Sequence, residues 1–184
     1  GDLNNVAGNY SFNLNYDGKL DTAGATISAD VDYSKFNGEG DDNYITTYYN
    51  QDGSATENPF IYHSLSPGTI DIMSAKVDFA SPLKKEWNFE TGLKASSVKN
   101  DNEAIFSVQQ NNEWVIDSLR SNDFIYTENI YAGYVQLSRQ FKKISIQAGL
   151  RGEVTDANGN SVTLQESFNR NYFQLFPSLN ISNR

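Results

Sequence analysis

From Tyr10 to Tyr16, the apolar residues Tyr10, Phe12, Leu14 and Tyr16 alternate with Ser11, Asn13 and Asn15. A period of two marks a strand with one apolar and one polar face. The pattern returns with Ala25, Ile27, Ala29, Val31 and Tyr33 against Thr26, Ser28, Asp30, Asp32 and Ser34, and again with Met73, Ala75, Val77 and Phe79 against Ser74, Lys76 and Asp78. Trp87, Phe89, Leu93 and Ala95 continue it. So do Tyr131, Val135, Leu137 and Phe141, although Arg139 interrupts that face, and then Ile144, Ile146, Ala148, Leu150 and Val154. The last segment holds Phe173, Leu175, Leu179 and Ile181, with Pro177 among them. Two less regular stretches, near Tyr44 to Tyr49 and Phe60 to Ser66, predict short extra strands. The expectation is an all-β, antiparallel meander of about 7–9 long strands, with 1–184 as one domain.

Several of these patterns persist for ten residues or more, whereas an average globular strand has about five or six. About ten tilted residues cross the hydrocarbon layer of a bilayer. The connections are also sorted. Ser81-Pro82-Leu83-Lys84-Lys85 and Lys142-Lys143 are short, whereas Lys99 to Phe124 and Asp156 to Asn171 read as long polar loops. Short turns at one end and long loops at the other are the arrangement of outer-membrane barrels.

Composition narrows the function. The chain holds 22 Asn and 19 Ser, which favour turns and solvated strand faces over helix interiors, and no stretch is apolar enough for a membrane-spanning helix. The absence of cysteine removes disulfides, thiolate metal sites and thiol nucleophiles. A formal charge of −9 with no Lys/Arg cluster argues against nucleic acid as a partner.

Glu128-Asn129-Ile130-Tyr131-Ala132-Gly133-Tyr134, Ile144-Ser145-Ile146-Gln147-Ala148-Gly149-Leu150-Arg151 and Leu175-Phe176-Pro177-Ser178-Leu179 together resemble the β-barrel part of TonB-dependent outer-membrane receptors and their barrel relatives. Lys19-Leu20-Asp21-Thr22-Ala23-Gly24 and Asp30-Val31-Asp32-Tyr33-Ser34 fit an earlier hairpin of the same family. The resemblance implies a fragment of a large transmembrane barrel from a Gram-negative outer membrane, without the plug domain and the remaining strands. Energy-coupled, non-catalytic uptake of a nutrient is the function it implies. Its implied partners are outer-membrane lipid, an inner-membrane energy-coupling protein acting through the absent N-terminal part, a surface lipoprotein and an unidentified nutrient; the fragment alone is expected to self-associate.

No catalytic, cofactor-binding or metal-binding residue is expected. His63 has no second His or Cys to complete a metal set. Asp156-Ala157-Asn158-Gly159-Asn160 is similar to the start of a calcium loop, but Ser167 stands where the bidentate Glu belongs, so an ordinary turn is expected. Glu39, Asp41 and Asp42 read as solvated loop charge. Glu86 and Glu90, four residues apart on one strand face, would lie about 13 Å apart, too far for a glycosidase pair. The ligand candidates are the loop aromatics Tyr44, Tyr48, Tyr49, Phe60, Tyr62 and Trp114, whose flat rings suit stacking on a ligand as well as packing at an interface.

Two other architectures bury the same alternating faces. One is a soluble, secreted or surface β-sandwich that binds carbohydrate or protein. The other is a small closed barrel of about eight strands serving as an anchor.

Overall fold

The structure, a computed structural model, describes residues 3–55 and 58–183. Seven long strands and one short one form a single antiparallel sheet. They are β1 (Leu3–Lys19), β2 (Thr26–Thr46), β3 (Phe60–Leu83), β4 (Trp87–Gln110), β5 (Glu113–Ile116), β6 (Asn122–Phe141), β7 (Ile144–Ser161) and β8 (Glu166–Asn183). The spatial order is β1-β2-β3-β4-β6-β7-β8, with β5 folded back on the end of β4. Each long strand thus pairs with its neighbour in the chain, as the meander requires.

Unbroken register carries one residue face across the whole sheet. Tyr16 lies opposite Ala29, and the same row continues through Val77, Leu93, Gly133, Gly152 and Leu175. Directly opposed residues share a face, so every apolar segment found in the sequence falls on one side. That side is exposed: Leu93 is 71% accessible and Tyr10 67%. Most of the buried strand residues, including Ala132, Thr155 and Ala157, sit on the other side. A water-soluble protein would invert this distribution.

On β7 the apolar band runs from Ile144 to Val154, about 33 Å along the strand. At a strand tilt of about 40° it stands about 25 Å tall, the height of the apolar band of an outer-membrane barrel. Its lower edge is oblique. Below the Tyr16 row, β1 offers only Gly18, whereas β8 continues with Pro177, Leu179 and Ile181. Strands that tilt relative to the membrane must produce such a drift. The upper edge is marked by an ionic group on the same face: Asp71 accepts from the Tyr33 hydroxyl at 2.8 Å and pairs with Lys35 at 3.3 Å, beside the Lys99–Asp101 pair.

The polar face is cross-linked. Asp32 accepts from Asn13 at 2.7 Å and from Ser74 at 3.2 Å, and Gln136 donates to Glu90 at 2.9 Å. Tyr134 donates to Asp78 at 2.7 Å, Asp78 also pairs with Lys76, and Arg151 pairs with Glu153. Tyr134 reaches Asp78 because its ring crosses Gly92; a Cβ there would overlap both the ring and Asp78 Oδ1. Glycine at this position is therefore a packing requirement.

Where the sequence predicted long loops, the structure continues the strands. β4 runs to Gln110 and β6 starts at Asn122, while β7 and β8 leave only residues 162–165 between them. Asp156 to Asn160 is β7 strand, not a turn, and Glu39, Asp41 and Asp42 lie in β2. The two short strands near Tyr44 and Phe60 are the far ends of β2 and β3. Glu86 is not on a strand face with Glu90 but in the 3-10 turn Lys84–Glu86, with a φ of 64°. The reason is common to all but the last: ladder hydrogen bonds along a neighbour hold polar sequences in strand conformation even where their own propensity favours turns. The Asn111-Asn112 pair, at φ 51° and 69°, forms the two-residue turn that creates β5, using the left-handed conformation that Asn tolerates.

Two outcomes follow. Gly92→Ala in the full-length barrel should destabilise it by about 1–3 kcal/mol, read as a lower urea midpoint for the vesicle-inserted protein; adding Tyr134→Ala should restore part of the loss. Single cysteines at Val31, Val77, Leu93, Leu137 and Leu179 should react with a lipid-phase reagent, and cysteines at Asn13, Asp32, Asp78, Gln136 and Gln147 should be spared. The reverse pattern would invert the two faces.

Candidate functional site

Beyond the apolar band the strands keep going. β3 and β4 have 24 residues each, about 80 Å, more than twice what the band occupies. The polar face of this projection holds the candidate site, and its side chains follow from register. Tyr44 pairs with Tyr62, and Thr46 with Phe60, so all three rings lie on the face that carries Asp32 and Asp78 lower down. Tyr44 and Tyr62 stack at 4.6 Å and 9°, and Phe60 tilts against Tyr62 at 5.7 Å. The neighbouring Asp42 carboxylate and partial burial hold the Tyr44 hydroxyl above its ordinary pKa.

Of the six predicted aromatics, these three come together and the others do not join them. Trp114 lies on β5, not in a loop, and faces the opposite side, where its ring is 5.8 Å from that of His63. His63 is held there by Asp41 at 2.8 Å and is part of the wall. Tyr48 and Tyr49 are exposed in the β2–β3 connection, which is shaped by the Tyr49–Ala55 bridge and by Asp52; hydrogen bonds from Ser54 pull that carboxyl below its ordinary value. Among the described residues no group of three or more His, Cys, Asp or Glu is arranged to hold a metal.

Between the aromatic group and the apolar band, the same face carries a recess of about 610 Å³. Gly38, Gly40 and Gly68 form its floor, with Phe36 and Ile70 on the band side. Two amides lie across the floor: a Cβ at Gly68 would stand 2.9 Å from Asn102 Oδ1, and one at Gly40 would stand 3.2 Å from Asn5 Oδ1. The glycines thus open the wall and let carboxamides lie flat in it. The sequence alone does not reveal this recess, because Asn37 to Asn43 reads as a loop, where glycine is unremarkable; three glycines on one face of a paired strand set are the available signal.

A polar, cross-linked face opposite an apolar band of bilayer height defines a segment of an outer-membrane-type β-barrel wall. Comparison with known proteins agrees. The family profile described as "Outer membrane protein beta-barrel family" matches residues 18–184, and the chain belongs to that family. Its location is accordingly the outer membrane. Among solved structures it is similar to the ferric citrate transporter FecA in its unliganded crystal form, with a TM-score of 0.67 at 14% identity. The match covers 96% of this chain and 25% of that one, so the chain spans about a quarter of the length of the structure it resembles. No curated protein matches it.

Proposed function

We propose that this chain forms part of the wall of a Gram-negative outer-membrane receptor or transporter that takes up a nutrient by energy coupling and performs no covalent chemistry. The observation that carries the reading is the continuity of the polar face, from the hydrogen-bonded wall opposite the apolar band to the glycine-floored recess and the Tyr44, Phe60, Tyr62 group beyond it. A ligand descending that face meets stacked rings first, then flat amides, then the charged pairs of the span. Likeness of fold to a transporter barrel supports the reading. The two-sheet sandwich has no second sheet among the described residues to cover the apolar face, and the sheet does not close on itself there, as a small anchor barrel would.

The partners follow from the same proposal. Bilayer lipid covers the apolar face, an inner-membrane protein delivers energy through a part of the receptor outside this chain, and a surface lipoprotein caps the projecting strands. The unidentified nutrient contacts the recess.

The test is uptake of a panel of labelled nutrients by cells carrying the full-length receptor, with and without a protonophore. Tyr62→Ala and Tyr44→Ala should each weaken uptake of the cognate nutrient about fivefold to tenfold at unchanged surface level, the scale of one lost aromatic contact. Tyr48→Ala should have little effect. Uptake indifferent to the protonophore would remove the energy-coupled part of the proposal, and uptake indifferent to all three substitutions would remove the site.

A further inference from the structure

The lipid-facing surface changes character at the short-turn end of the sheet. Trp87 and Arg139 are register partners there. The Arg139 guanidinium lies over the Phe141 ring at 4.4 Å and the Trp87 ring at 5.5 Å, which explains how a cation interrupts an otherwise apolar face. Its Nε is buried and has no hydrogen-bond acceptor. Arginine normally spends its donors on carboxylate or phosphate, and among the described residues this guanidinium has no carboxylate partner, only the two rings. Past the ring under the guanidinium, Phe141, Ile144, Lys142, Lys143 and Glu86 border a recess of about 570 Å³.

Charge collects at the same end. Lys19, Lys84, Lys85, Arg139, Lys142 and Lys143 lie within three residues of the three short turns, against only Asp17, Asp21 and Glu86. The rest of the chain holds 8 basic and 20 acidic residues. An acidic chain has therefore kept a net positive rim at one membrane boundary, and Glu86 does not reverse its sign. Six residues along the strands from Arg139, about 20 Å away, the same face opens into an apolar groove of about 670 Å³. Gly133 and Gly152 form its floor, and Leu93, Tyr131, Val154 and Phe173 flank it. Phosphate chemistry at a membrane boundary, with an apolar groove one acyl-chain length deeper, describes a phospholipid and not a free anion.

We propose that this rim is a binding site for an anionic glycerophospholipid of the leaflet at the short-turn side. The phosphodiester sits against Arg139 and the Lys142-Lys143 turn, and one acyl chain follows Leu137 and Val135 toward the Gly133–Gly152 groove. In outer-membrane barrels the short turns face the periplasm, so the lipid belongs to the inner leaflet. The site rests on the chain's place in the membrane and not on uptake, so either proposal can fail while the other stands.

Native mass spectrometry of the full-length protein, equilibrated with phosphatidylglycerol or phosphatidylcholine in mild detergent, tests it. The unaltered protein should retain phosphatidylglycerol in preference to phosphatidylcholine. Arg139→Gln should lower retained phosphatidylglycerol about fivefold, and Lys142→Gln with Lys143→Gln should lower it further, whereas Lys35→Gln at the opposite boundary should leave it unchanged. Heat-modifiable gel mobility reports folding of each variant; the exposed Lys142-Lys143 pair keeps the test available if Arg139→Gln does not fold. Equal retention of the two lipids, or full retention by the double lysine variant, would overturn the site. Displacement of the lipid by millimolar inorganic phosphate would assign the rim to a free anion instead.

Discussion

A bilayer offers no hydrogen bonds, so every peptide group in its core must find a partner within the protein. An antiparallel sheet meets that demand by pairing each strand with both neighbours. The long ladders from β1 to β8, in one register throughout, are the consequence, with no strand crossing out of order. Among the described residues β1 and β8 are each paired on one side only, and an unpaired strand edge is costly in a wall embedded in lipid. The family membership and the match to a quarter of a transporter barrel place this sheet as an arc of such a wall.

Once pairing is satisfied, the pleat divides the labour between two faces. The apolar face carries little side-chain hydrogen bonding along the band; the Lys35–Asp71 group marks one boundary, and the Arg139 guanidinium stacked on Phe141 lies at the other. The opposite face spends its polar side chains on one another, in pairs that span two or three strands. Glycines serve the polar face by what they omit. At Gly92 the missing side chain lets Tyr134 cross the sheet, and at Gly38, Gly40 and Gly68 it opens a recess where the wall leaves the membrane. Past that level the constraint of lipid is gone, yet β2, β3 and β4 continue as paired strands, so the projecting wall stays stiff enough to hold the Tyr44–Tyr62 stack.

Much of this was legible in the primary structure. Alternation from Tyr10 to Tyr16, from Ala25 to Tyr33 and from Ile144 to Val154 identified strands and assigned each side chain to a face, because a period of two leaves only two choices. The short turns at Ser81 to Lys85 and Lys142-Lys143 were legible for the same reason: the apolar pattern resumes almost at once on the other side. The aromatic candidates were half legible. Tyr44, Phe60 and Tyr62 were recognisable as ring-rich, but their meeting depends on the β2–β3 register, which local sequence around each does not contain.

Sequence alone therefore determined where the alternating strand segments lie, their two faces and the interruption of the apolar face at Arg139, since these depend only on residue type and on the pleat. Tertiary structure decided how far the strands extend, which of the rings share a face, that Trp114 lies on the other side with His63, and that three separated glycines make one recess. Those outcomes arise from long-range pairing, in which a polar segment such as Asn37 to Asn43 becomes strand because its neighbour supplies the hydrogen bonds. No local signal encodes a partner thirty residues away.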